Sequence, residues 1–331
     1  MLKRFAATAL TLALAFAAPA ASAADNTIFR GKTITYVVST GPGGGYDSYA
    51  RLIARFMQKY LPGSRVLVRN VPGAGHIVGA NAIYAAKPDG LTIGMFNTGL
   101  VYDQMIKRQG VIFDLAKFSW IGKASDDTRV VLISKKSGIK DFDAMLSSKT
   151  PVKFAAAGIG SAAYIETRIL QAALKLNVQI VPGFDGNEGE MSMLRNEVVA
   201  EVGTAASLEQ FVKNGNGFFA LSISENSDIP GVPKAMAYAK DERGKKLIAL
   251  VSTLSEIGRL TAGPPGIPAP ILASLREALD KAMADPQLRA EAMKMQLPLD
   301  PASGAAVEAM IKTALAQPPE TVALLKSAAA N

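Results

Sequence analysis

Apolar positions along this chain switch repeatedly between two periods. Residues 33–39 (Thr-Ile-Thr-Tyr-Val-Val-Ser) form a run that predicts a buried strand. Over residues 48–60 the apolar side chains Tyr49, Leu52, Ile53, Phe56, Met57 and Tyr60 recur at helical spacing, with Arg51, Arg55 and Lys59 on the other face. That pattern predicts a helix with Asp47 or Ser48 as its N-cap. A second unit repeats the layout: a strand at 65–69, a Pro-Gly-Ala-Gly turn, and a helix to about Ala86. Pro88-Asp-Gly90 has turn chemistry, and 91–96 is the next strand. Further strands are predicted at 118–123 and 130–134, the second read as a crossing between lobes.

The alternation then restarts. Strands are predicted at 152–156, 178–181, 198–202 and 218–223, with helices at 162–174, 190–195 and 208–213. From residue 263 the pattern is helical: Pro270 starts a helix to about Ala284, and two more follow. Strands alternating with helices imply mainly parallel sheets covered on both faces. The duplicated layout implies two similar lobes, divided as 24–128 with 255–331 and as 129–254.

Residues 1–23 read as a separate object. Lys3 and Arg4 form a basic start, residues 5–18 an apolar stretch, and Ala21-Ser22-Ala23 a small-residue cleavage site, as in a secretory signal peptide cut after Ala23. No later stretch is long and apolar enough to span a bilayer, so the chain is not expected to be membrane-embedded. The 331-residue chain has no cysteine, which excludes disulfides, thiolate metal sites, a cysteine nucleophile and a lipid-modified N-terminal cysteine. An exported protein with no anchor of its own points to the periplasm. Loss of Lys3 and Arg4 lowers the formal charge from +8 to +6. The remaining basic residues are scattered, with only pairs such as Lys135-Lys136 and Lys245-Lys246, so nucleic acid is not an expected partner.

Three glycine-rich turns carry the candidate chemistry: Thr40-Gly-Pro-Gly-Gly-Gly-Tyr-Asp47, Val71-Pro-Gly-Ala-Gly-His76 and Ala157-Gly-Ile-Gly-Ser161. Each leads from a strand into a helix. Unpaired backbone N–H groups at such a helix start, backed by its dipole, make an anion site. The first turn lacks the third glycine of a dinucleotide fingerprint, with Tyr46 in its place, and lacks the Gly-Lys-Ser/Thr of a P-loop. Ser161 lacks the flanking glycines of a nucleophile elbow, having Ile159 and Ala163 there, and His76 is the only histidine. His76 reads equally as a ligand contact, a pH-sensing group or an ordinary turn residue. The acids Asp126-Asp127 and Glu188/Glu190 lack metal-ligand spacing and are expected to face solvent; neither metal nor cofactor is expected. The pattern favours capture of an organic anion over its conversion.

At these turns the chain resembles the tripartite tricarboxylate transporter receptors, the Bug receptors. The resemblance rests on Gly-Pro-Gly-Gly-Gly-Tyr-Asp47, Asn70-Val-Pro-Gly-Ala-Gly75, Pro88-Asp-Gly90, Gly158-Ile-Gly-Ser161, Asp185-Gly186 and Gly-Pro-Pro-Gly-Ile-Pro268, in that order. It implies an α/β, two-lobed periplasmic binding protein of the flytrap kind. It also implies a carboxylate solute and a membrane transporter of two subunits as partners. The implied site takes Gly43, Gly44, Gly45, Tyr46, Asp47 and Ser48 with Gly73, Ala74, Gly75 and His76 from the first lobe. Asn97 and Thr98, at a strand end, are added as side-chain contacts. The second lobe adds Gly158, Ile159, Gly160, Ser161, Tyr164, Phe184, Asp185 and Thr204. The chain departs from the family pattern in having His76 for a second glycine, Tyr164 for a frequent histidine, and an extra residue around Gly183-Phe-Asp-Gly186. Tyr46, Phe184 and Tyr164 raise the expectation of a ring-bearing carboxylate. An extracytoplasmic sensor feeding a membrane signalling receptor and, more distantly, a secreted hydrolase stay open as alternatives.

Overall fold

The computed structural model describes residues 25–226 and 228–330, so the signal peptide expected at 1–23 lies outside it. The first sheet starts with β1 (Thr33–Val38), α1 (Gly45–Tyr60) and β2 (Arg65–Asn70). It continues through α2 (Ile77–Tyr84), β3 (Thr92–Phe96), α3 (Gly99–Met105) and β4 (Ser119–Lys123). Residues 124–128 then cross to a second sheet. That part holds β5 (Arg129–Ser134), α4 (Phe142–Leu146), β6 (Val152–Ala156), α5 (Ala162–Leu174) and β7 (Val178–Pro182). It ends with α6 (Glu188–Leu194), β8 (Ala200–Thr204), α7 (Ala205–Lys213), β9 (Gly217–Ser222) and α8 (Glu242–Ser255). Residues 256–259 return the chain to β10 (Leu260–Gly263), α9 (Ala269–Ala284), α10 (Pro286–Lys294), β11 (Ala302–Ser303), α11 (Gly304–Leu315) and α12 (Pro319–Ala330).

The strand orders are β11-β4-β10-β3-β1-β2 and β7-β6-β8-β5-β9. Both sheets are mixed, where the alternation predicted mainly parallel ones. β1 pairs in parallel with β2 and β3, and β6 with β7 and β8. β10 runs antiparallel to β3 and β4, and β5 antiparallel to β8 and β9. The cause is the double crossing: β10 and β5 each enter from the other sheet and run away from the junction. Their neighbours run toward it, as the pairs Leu260↔Lys123 and Arg129↔Thr204 show. The carboxyl ends of β1, β3, β6 and β8 therefore converge between the sheets, where α/β folds bind ligands.

Alternation along the strands feeds both faces. Ile34, Tyr36 and Val38 pack with Tyr49, Leu52, Ile53, Phe56 and Met57 of α1 and Leu275 and Leu279 of α9, while Val37 packs on the opposite side. In β5, Val130 and Leu132 face α6 and α7, whereas Val131 and Ile133 join the core under α5 and α8. Each such side chain contributes about 1.5–3 kcal/mol on full burial. Helix α8 and strand β10 do not stand out in the sequence pattern, and four helices rather than three follow residue 263. The sequence division keeps residues 255–331 together, yet α12 docks on α5 and α8, beside the second sheet. Among the described residues no helix is long and apolar enough to cross a membrane.

Candidate functional site

The first turn sits at the end of β1. Gly43 has φ of +83°, and Gly44 is the N-cap of α1, so the helix starts at Gly45, ahead of the Asp47 or Ser48 cap that the sequence suggests. Asp47 instead closes the turn from within the helix. Its carboxylate accepts from the Gly43 N–H at 3.0 Å, from Arg51 Nε at 2.9 Å and from Asn70 Nδ2 at 2.9 Å. Burial pushes this carboxyl up, but those hydrogen bonds outweigh it and hold it below the ordinary value. The first N–H groups of α1 have no acceptor within the helix. A side chain at Gly44 would press on Gly186 Cα, at 3.0 Å, and one at Gly45 would overlap Ser207.

The second turn is a run of left-handed backbone: Gly73, Ala74, Gly75 and His76 have φ of 130°, 48°, 65° and 84°. For Ala74 and His76 that conformation is strained. It turns the His76 ring inward, 7% exposed. The Asn97 amide is oriented by the Gly99 N–H, which donates to its Oδ1 at 2.8 Å, so its Nδ2 faces His76 Nδ1 at 2.6 Å as donor. Nδ1 is thus the acceptor, and the neutral ring carries its proton on Nε2. Nε2 has no hydrogen-bond partner; the nearest carboxylate oxygen is Asp185 Oδ1 at 3.6 Å.

The other wall comes from the second sheet. Ser161 caps α5 by accepting from the Tyr164 N–H at 3.3 Å, leaving the first N–H groups of α5 open. Asp185 accepts from the Gly186 N–H at 2.7 Å. Burial would raise its carboxyl, but the His76 ring and the Gly186 and Gly41 N–H groups keep it low. Arg129, 4% exposed, donates to Glu166 at 2.7 Å and to Thr204 Oγ1 at 3.1 Å, and Tyr102 also donates to Glu166 at 3.3 Å. Two more acids stand on this wall. Burial pushes Glu190 up to about 7, and burial with the neighbouring Glu190 pushes Glu201 well above the carboxylate range.

These walls meet. The first turn abuts residues 185–187, and a side chain at Gly75 would come within 2.7 Å of the Ile159 carbonyl and the Ser161 nitrogen. They enclose a cavity of about 140 Å³. Of the sequence candidates, Gly43, Gly44, Gly45, Tyr46, His76, Asn97, Ser161, Phe184, Asp185 and Thr204 line it. Ten other candidates stand back from it. Asp47 braces the turn and Ser48 Oγ donates to the Gly44 carbonyl at 3.1 Å. Gly73, Ala74 and Gly75 shape the loop that carries His76, and Thr98 is buried without lining the space. Gly158, Ile159 and Gly160 contact Gly75 and Arg108, and Tyr164 lies against Arg168, 5.5 Å from its ring centroid. Tyr46 gives its hydroxyl to Asp127 and its face to Arg259 at 3.9 Å, whereas Phe184 packs on the second-sheet core and lines the cavity.

The sequence reading missed Arg129, Glu190 and Glu201 on the wall. It placed Glu190 and Asp127 in solvent. Glu190 lines the cavity, and Asp127 is fully buried, 3.0 Å from Arg259. The strict alternation of Ala200-Glu-Val-Gly-Thr204 in β8 was the available signal for Glu201, since it sets that side chain apart from Ala200 and Val202. A larger groove of about 560 Å³, lined by residues such as Lys213, Arg289 and Met293, adjoins the cavity at Thr204. It has neither glycine turn nor His76, so the smaller cavity is the candidate site.

The chain matches the family described as the tripartite tricarboxylate transporter family receptor over residues 49–316. It is 30% identical over 263 residues to the "UPF0065 protein in the TAR-I ttuE-ttuC' intergenic region" of Agrobacterium vitis, covering 77% of this chain and 72% of that one. Among solved structures, the periplasmic binding protein BugD superposes with a TM-score of 0.75 at 23% identity, over 89% of this chain and 97% of that one. MatC (Rpa3494) from Rhodopseudomonas palustris, with bound malate, gives 0.72 at 22% identity, over 90% and 98%. These likenesses establish the two-lobed fold of periplasmic binding proteins. By sequence and fold together, the chain belongs to the tripartite tricarboxylate transporter receptor family, whose members are solute-binding receptors and not enzymes.

Proposed function

We propose that this receptor is exported to the periplasm, cleaved after Ala23, and captures a small carboxylate between its two lobes for delivery to a two-subunit membrane transporter. The observation that carries the reading is that His76, whose Nε2 has no hydrogen-bond partner, lines the same cavity as the starts of α1 and α5. Those groups supply hydrogen-bond donors and positive helix ends without a net cation. His76 also argues against hydrolysis, because its two ring nitrogens face Asn97 and Asp185 and not Ser161. The malate in MatC is consistent with a carboxylate solute.

The lobes correspond to the two sheets, and closure would be a shift of population toward a form in which one solute touches both. Thermal unfolding of the protein against mono-, di- and tricarboxylates tests the reading. A ligand at 100 times its Kd stabilises the folded state by about 2.7 kcal/mol. A midpoint that rises with a subset of carboxylates supports capture. No rise with any of them, after unfolding and refolding to remove carried-over solute, counts against it.

A further inference from the structure

The third turn is gripped from outside the cavity. Helix α3 ends in a Schellman motif: Lys107 has φ of +54° and donates its N–H to the Gln104 carbonyl at 3.1 Å, and the Arg108 N–H donates to the Asp103 carbonyl at 2.9 Å. This reversal brings the Arg108 side chain back along α3, where Nη1 donates to Asp103 Oδ1 at 3.3 Å. The Asp103 side chain is fully buried, and its Oδ2 has no hydrogen-bond partner. Arg108 Nη2 donates to the Ile159 carbonyl, in the third turn. Gly160 has φ of +87°, and a Cβ there would overlap Arg108 Nη1, so the guanidinium fills the space a side chain would need. On its other side the same turn rests against Gly75.

This contact lies to one side of the crossings. Helix α3 follows β3 of the first sheet, and the third turn follows β6, two strands away from β5, where residues 124–128 enter the second sheet. Two strand spacings amount to roughly 10 Å. A rotation at the crossings that parts the sheets therefore draws Ile159 away from Arg108. Resting on the reading of the cavity as the solute site, we propose that Arg108 is a positioning residue for capture: it latches the third turn to α3, and so holds the start of α5 against a solute seated on the first lobe. Arg108 does not line the cavity and acts only through the turn. Its hydrogen bond to Ile159, from a charged donor, exists in the closed form alone and adds to the stability of that form.

A purely structural arginine predicts something different. If Arg108 only neutralised Asp103, its loss would lower the melting point and leave the balance of open and closed forms untouched. A latch biases that balance, so its loss opens the lobes and speeds solute release while association is unaffected. Lysine at 108 keeps a charge for Asp103 but lacks the planar fork that reaches Asp103 and the Ile159 carbonyl together. It should recover stability without recovering the latch.

The test reads the distance between the lobes. The chain has no cysteine, so spin labels can be placed through Leu67→Cys in β2 and Met191→Cys in α6, both exposed and outside the cavity lining. Pulsed electron spin resonance then gives the open and closed populations, without solute and with each member of a mono-, di- and tricarboxylate panel. The proposal expects Arg108→Ala and Arg108→Lys to lower the closed-to-open ratio about tenfold, and to weaken binding by a similar factor through faster release. Because Arg108→Ala leaves a buried carboxyl alone, Asp103→Asn combined with Arg108→Ala serves as a variant without that burden, and it should open to the same extent. If the parent closes on a carboxylate and all three variants match it in distance and release rate, the latch is overturned and capture stands. A lower melting point with an unshifted closed population also overturns it. A parent that gains no closed population with any member of the panel removes capture and the latch together.

Discussion

Asn97 Nδ2 and His76 Nδ1 stand 2.6 Å apart, and this contact decides which face of the only histidine meets the cavity as a donor. The ring is carried on backbone with φ of +84°, a conformation that glycine adopts without strain. His76→Gly should therefore separate two roles. Thermal stability should be unchanged or slightly higher, while affinity for the carboxylate falls about ten- to hundredfold, as for loss of a hydrogen bond to a charged group worth about 1.5–3 kcal/mol. Asn97→Ala, which frees the ring to adopt either tautomer, should cause a smaller loss. Titration calorimetry and a melting curve on each variant check both statements.

Gly45 stands where a side chain would overlap Ser207 of the opposite lobe and come within 3.1 Å of Arg259. Gly45→Ala should hold the lobes apart. Small-angle scattering of this variant at saturating solute should give a larger radius of gyration than the unsubstituted protein, with weaker binding. Adding Ser207→Gly should restore part of both, since the overlapping atoms are then gone.

The two crossing segments are tied by the Asp127 N–H to the Ser255 carbonyl at 2.8 Å and by the Asp127–Arg259 pair at 3.0 Å. Both side chains are fully buried. Asp127→Ala should cost about 3–5 kcal/mol in denaturant unfolding, because the guanidinium is left without its counter-charge. A cost below about 1 kcal/mol would show that the Tyr46 and Tyr49 rings, 3.9 and 4.8 Å from the guanidinium, suffice to hold it.

Asp103 is buried beside Arg108, and burial pushes its carboxyl up to about 7 despite that partner. The folded chain thus keeps a proton that the unfolded chain releases near pH 4. From this group stability is highest below about pH 4 and falls as pH rises to about 7, since the folded state binds the extra proton over that window. Asp103→Asn should remove this part of the slope and make the protein more stable than the parent at pH 8. Denaturant midpoints at pH 5 and pH 8 for both proteins check the sign.

Much of the first lobe was legible because its signals are local. The alternation of β1, the helical recurrence in α1 and the glycines of the turns act within a dozen residues. The second wall was less legible because it is assembled at long range. Arg129 looks like the start of any strand until Glu166 reaches it from α5, and Glu190 sits on a helix of seven residues with little periodicity. Strand β10 is four residues long and exists through its pairing with β3 and β4. The inward turn of His76 depends on four successive positive φ values, two of them at residues that side-chain preference argues against.

The most direct test of capture at this cavity is a crystal structure of the protein with a carboxylate that raises its melting point. The account predicts a carboxylate oxygen within about 2.7–3.2 Å of His76 Nε2 and of a backbone N–H at the start of α1. A solute seated in the groove beside Lys213 and Arg289, with His76 Nε2 still unpaired, would contradict it.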